Sequence, residues 1–369
     1  MIPPFVYVLF HNLPALEVAI TFGLIFFALS WVMPRRLITL PVIPPSVMTL
    51  PVNTLSATTL PATVARRSIL VWTGIAGSLL VVAVATVASA LAARRGEYQY
   101  TGVDGWLGRP APLLTAITVV AVAALVLRRS RLPEPGARGI APRRPWHAFA
   151  PRPVLWATAV LATLVALTAL WQSVIGMVAP EAGPFFGRTT DHTDLPIYMT
   201  FNQGYGYIAG VGWPNYLATF VVLAIAAVVL FLALRSDANR PVLARSSFVG
   251  VRVEREQTAR LLTLIVLGGL VTTLGAVWMH AGSIGQVSVS FDQRWVSEDV
   301  SYPRIHFGGG YDAFARPLNL AGYAFQGIGV ALLLRIATDT TRSALKLRRA
   351  GTDAPSDVDD AALTPGARR

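Results

Sequence analysis

A chain of 369 residues with 54% hydrophobic and only 14% charged residues is too apolar for an ordinary soluble domain, in which about a quarter of residues are charged. Cysteine is absent, which excludes disulfide frameworks, thiolate metal sites and cysteine nucleophiles. The net charge of +12 is nearly all arginine, Lys346 being the one lysine, and the arginines flank apolar runs, a positive-inside pattern rather than a nucleic-acid-binding face.

The first apolar stretch, Leu16 to Met33, predicts an N-terminal transmembrane helix within residues 1–33, the first of about seven spans. Residues 34–68 follow as a proline-rich linker in which Thr-Leu-Pro recurs at Thr39, Thr49 and Thr59. Prolines at that density argue against a regular helix. A start of translation at Met48 would remove the first helix and the first part of the linker.

Six further runs fill the membrane domain, residues 69–337: Ile69 to Ala92, Ala111 to Leu127, Val154 to Val178, Tyr216 to Leu234, Leu261 to His280 and Leu318 to Leu334. Residues 338–369 are read as a disordered cytoplasmic tail. Arginines at 35, 36, 66 and 67, between 128 and 152, between 235 and 260, and from 335 onward fall on alternate connections. The positive-inside rule makes that side cytoplasmic and puts the N-terminus outside and the C-terminus inside. Arg94 and Arg95 run against the rule for one hairpin. The arginine preference, with heavy use of alanine and valine, points to a GC-rich bacterial genome and to the bacterial inner membrane.

Two phrases recur: "YQYTGVDGWLGRP" from Tyr98 and "YGYIAGVGWPN" from Tyr205, with a shorter echo in "YDAFARP" from Tyr311. Each precedes a span, so the six runs read as three tandem hairpin repeats, 66–129, 152–235 and 260–335. Gly105, Trp106 and Pro110, then Gly212, Trp213 and Pro214, then Phe314 and Pro317, form a membrane-entry motif. Glycine permits the turn, the aromatic residue anchors at the interface, and proline fits a first helical turn, where its missing N–H leaves nothing unpaired. The alternating "IYMTFNQGYGYI" and "GQVSVSFDQRWV" predict short strands and hence a small β-containing extracytoplasmic cap. The fold class is an all-α polytopic membrane protein carrying that cap.

The span interiors hold no ionisable residue, which disfavours a proton- or sodium-driven carrier. Glu17 and His280 read as groups near the headgroups, and Gln172, Asn319 and Gln326 as amides bonding between helices. The candidate metal ligands are Asp191, His192 and Asp194 of "RTTDHTDLP", with His306, Asp299 and Asp312 able to converge on them if the loops pack together; carboxylates and imidazoles are zinc-ligating types. A phosphate-binding Gly-x-x-x-x-Gly-Lys-Ser/Thr loop is absent, and the single lysine lies in the tail, which excludes a Schiff-base retinal protein. No cofactor is expected. The expectation is a non-catalytic accessory or permease-like subunit of a transport or envelope complex, whose partners are the lipid bilayer and other membrane or cytoplasmic subunits. The alternatives are an autonomous channel or carrier, or an outer-face membrane enzyme.

Overall fold

The computed structural model describes residues 15–32, 37–38, 59–95, 106–129, 138–139, 144–182, 185, 192–201, 206–243, 248–291, 305–308 and 310–352. Runs of Ala, Leu and Val without glycine or proline clusters become helices. These are α1 (Ala15–Ser30), α2 (Thr59–Trp72) continuing through a π-helical turn (Thr73–Gly77) into α3 (Ser78–Arg95), α4 (Ala111–Arg129), α5 (Arg152–Val174), α6 (Trp213–Ala238), α7 (Phe248–Gly285) and α8 (Asp312–Thr352). Six of the described helices are long and apolar enough to cross a membrane; α1 is shorter.

The boundaries depart from the sequence reading where polar residues join a helix. Helix α2 starts at Thr59, inside the proline-rich linker, and α7 takes in "VRVEREQTAR", read from sequence as a loop. Helix α8 continues to Thr352, past the expected domain boundary at 337. Pro317 lies inside α8 rather than in its first turn.

Helix α7 is the axis of the bundle, packed against α4, α5, α6 and α8. Its apolar window is 83% buried against 17% for peripheral α5, where Trp156, Leu167 and Val174 are exposed and suited to lipid. The α7–α8 contact is antiparallel and runs along glycines spaced by seven. Gly268, Gly275 and Gly282 meet Leu333, Gly322 and Asn319, while Gly329 meets Thr272. Small residues at such a seam let backbones approach closely. Consecutive helices α3 and α4, and α5 and α6, also pack against each other, and α1 lies on α8 and α3.

Three two-stranded antiparallel sheets complete the described chain. The pair β2 (Tyr198–Thr200) with β3 (Tyr207–Ala209) and the strand β5 (Ser288–Phe291) fall on the stretches expected to form strands, whereas β6 (Ile305–Gly308), the partner of β5, lies outside them. The pair β1 (Arg138–Gly139) with β4 (Val242–Leu243) joins two arginine-rich loops and was not legible in advance. The β2–β3 hairpin is seated on helix ends: Met199, Phe201, Ile208 and Val211 bury against Ile284 and Ile175. A Cβ on Gly176 would lie 2.3 Å from the Gly212 Cα, and Gly212 holds φ +85° as the residue before α6.

Candidate functional site

Of the candidate metal ligands, the structure brings two together. His192 Nε2 lies 3.8 Å from Asp194 Oδ1, but the Asp194 side chain is fully exposed. Asp191 and Asp299 lie outside the described residues. His306 is described through its backbone, paired with Ser290 in β6, and Asp312 accepts the N–H of Ala313 at 2.7 Å, capping its own helix. Among the described residues no group of three His, Cys, Asp or Glu is placed to hold a metal ion.

The entry motif takes three different forms. Gly105 lies outside the described residues. Trp106 opens a turn that ends at buried Pro110, whose carbonyl accepts the N–H of Leu114 at 2.9 Å. Gly212 caps α6, Trp213 is its half-exposed first residue and Pro214 follows within the first turn. Phe314 is 72% exposed near the start of α8.

Beneath the hairpin lies a polar layer that sequence reasoning only grazed. Arg109, 5% exposed, donates to the Asn215 carbonyl at 2.9 Å and stacks over Tyr216 at 5.0 Å. His280, expected among headgroups, is instead buried, with Nε2 bonded to Gly210 O at 2.9 Å. Gln172 is fully buried, and its main-chain carbonyl accepts the N–H of Gly212 at 2.9 Å. Asn319 donates to Met279 O at 3.0 Å, and Ser89 bonds Gln326 at 3.4 Å, so both amides bond between helices as expected. The signal for this layer was Arg109 inside the recurring phrase.

The opposite end of the bundle carries a charged network. Arg66 pairs with Asp237 at 2.8 Å and reaches Thr258 at 3.1 Å. Its Nε also lies 2.8 Å from Glu254, a pairing by charge rather than an aligned hydrogen bond. Arg255 donates to the carbonyls of Ala238 and Arg240, and Arg240 donates to Leu127 O at 2.7 Å. These guanidiniums thus satisfy carbonyls at the C-termini of α6 and α4, where partial negative charge gathers. Arg144 and Arg255 each sit 5.3 Å from the ring of buried Phe149. A second cluster fastens α1. Asp339, fully buried, accepts the Leu37 N–H at 2.8 Å and pairs with Arg335 at 3.5 Å, while Arg335 and Arg342 lie 4.9 and 3.8 Å from the Trp31 ring.

Comparison with protein families, curated proteins and solved structures returns no match for this chain.

Proposed function

We propose that this chain is a non-catalytic multi-pass protein of a bacterial cytoplasmic membrane, with its N-terminus outside and its C-terminus cytoplasmic. It serves as an accessory or permease-like subunit of a transport or envelope complex. In this reading α1 is a seventh crossing, the other six are three tandem hairpins, and the β-hairpins are the extracytoplasmic cap. The arginine clusters support the orientation, since Arg66, Arg144, Arg240 and Arg255 gather at one end of the bundle.

The observation that carries the reading is the interior of α7. From Leu261 to Met279 it holds no ionisable residue. Its buried threonines are used up in packing: Thr263 and Thr272 donate to carbonyls of their own helix, and Thr273 receives the Leu113 N–H at 3.3 Å. Such an axis suits a rigid joint better than an ion path.

Purification in mild detergent from the native host, with mass spectrometry of bound proteins, tests the proposal. A stoichiometric ATPase or envelope enzyme supports it. A solitary protein that moves solute across liposomes overturns it in favour of an autonomous carrier. One observation favours that second reading: Thr219 is fully buried and its hydroxyl has no hydrogen-bond partner among the described residues, so a polar solute or water would satisfy it.

A further inference from the structure

Asn319 and Gln326 reach across helix boundaries as the sequence predicts, and Gln172 does not. Its side chain is fully buried near the end of α5, and neither its amide oxygen nor its amide nitrogen has a hydrogen-bond partner among the described residues. A primary amide offers two N–H donors and an oxygen with two lone pairs. Leaving such a group unmet in a dry interior costs more than a typical hydrogen bond contributes.

The neighbours of Gln172 narrow what completes it. Its main-chain carbonyl is taken by the N–H of Gly212 at 2.9 Å, which ties the end of α5 to the residue before α6. Tyr311, in the turn that leads into α8, meets the Trp171 ring edge-on at 4.8 Å and shares an apolar cluster with Ile175. Trp171 and Ile175 flank Gln172 on α5 and its end, so the phenol lies against the stretch that carries the amide. The Tyr311 hydroxyl donates to Ala281 O at 2.9 Å and therefore keeps its own oxygen as an acceptor. Gln172 is near enough to oppose the upward shift of that phenol, yet no aligned hydrogen bond joins the two side chains. Polar groups this close that do not bond directly, one of them fully buried, are the setting in which a bridging water is held.

We propose that Gln172 and Tyr311 hold an ordered water molecule between them, a buried hydration site beneath the β2–β3 hairpin. The water donates to the Tyr311 oxygen, and it either donates to Oε1 of Gln172 or accepts from Nε2. Two such partners meet the minimum that an internal water requires. Water suits the site better than an ion, because a primary amide and a phenol are both neutral. The site also has a mechanical consequence: α5 packs chiefly on α6 and α7, and the water links it to the entrance of α8. It holds whether the chain is a subunit of a complex or acts alone.

The test begins with the full, unaltered chain crystallised from a lipidic phase at a resolution that shows ordered water. Density within about 3.2 Å of both the Gln172 amide and the Tyr311 oxygen is expected. A direct Gln172–Tyr311 hydrogen bond, or protein atoms alone around the amide, overturns the proposal. Thermal unfolding in mild detergent gives an independent reading through Gln172→Met, which keeps the length of the side chain and removes its polar atoms. With a water completing the amide, that change forfeits the bonds and lowers the midpoint by about 2 °C. With a dry amide, the same change removes an unmet polar group. An unchanged or raised midpoint therefore overturns the site. Should Gln172→Met fail to fold, the crystal structure of the unaltered protein decides.

Discussion

Gly275 of α7 and Gly322 of α8 lie back to back: a Cβ on Gly275 would sit 2.7 Å from the Gly322 carbonyl oxygen, and one on Gly322 would sit 2.8 Å from that of Gly275. No side chain can move aside to make room, because the obstacle on each side is backbone. Gly275→Ala therefore forces the two helices apart and is expected to destabilise the protein by about 1–3 kcal/mol. Gly310→Ala, with nothing within 4 Å of the added Cβ, is expected to stay within about 0.5 kcal/mol. Unfolding midpoints in detergent compare the two. Equal midpoints would show that the seam is not tight.

This seam illustrates what the sequence could and could not convey. Apolar runs located the six helices long and apolar enough to cross a membrane, because burial in a bilayer demands length and hydrophobicity and little else. Alternation located β2, β3 and β5 but not β1, β4 or β6, which are too short or too irregular to alternate visibly. Nothing in the letters said that the glycines of α7 face those of α8, since partner choice is a tertiary property. Polar helix ends were missed for a related reason. The stretch from Arg252 to Arg260 reads as a loop by hydropathy, yet Arg255 and Thr258 are buried in the network at Arg66. Nothing in the letters placed Arg109 beside His280, because 170 residues of chain lie between them. The loop carrying Asp191 was singled out on residue type alone, and the described part of it places His192 only beside an exposed Asp194.

The pairing of Arg66 with Asp237 ties the start of one span to the end of another. Both side chains are largely buried, so removing one leaves the other charged in a poorly solvated place. Asp237→Ala is expected to cost about 3–5 kcal/mol. Glu254→Ala should cost about 1 kcal/mol, because the Glu254 side chain is 35% exposed and water replaces part of its role. The combined Arg66→Met/Asp237→Leu change should be milder than Asp237→Ala alone. Chemical denaturation of the four proteins checks the order, and a double variant worse than Asp237→Ala would refute the argument.

Tyr311, packed beside the β2–β3 hairpin, gives the protein a pH dependence. Its hydroxyl donates to Ala281 O at 2.9 Å, and burial raises the phenol from 10.0 to about 12, partly opposed by Gln172. The folded state thus favours the neutral phenol. That contribution is complete below about pH 10 and is lost as pH rises toward about 12. The thermal midpoint of the unaltered protein is expected to fall across that window relative to Tyr311→Phe. Parallel curves would mean that Tyr311 does not titrate in the folded state as its surroundings require.

The N-terminal helix is fastened by groups that a chain begun at Met48 would lack. Such a chain loses the Leu37 N–H that Asp339 accepts, the Ser30 carbonyl that Arg335 reaches at 3.3 Å, and the Trp31 ring beside Arg335 and Arg342. It also loses the packing of Gly23 on Val330 and of Phe22 on Gly327. A hydrogen bond to a charged group contributes about 1.5–3 kcal/mol, so the chain beginning at Met48 should unfold at a lower temperature than the full chain. Leu37→Pro in the full chain removes one donor and should account for part of that loss. Asp339→Asn should then cost less in the short chain than in the long one, because one of the partners that makes the carboxylate valuable is already gone. Equal midpoints for the two chains would show that the membrane domain is indifferent to α1, and its contacts with α8 would then carry no stability.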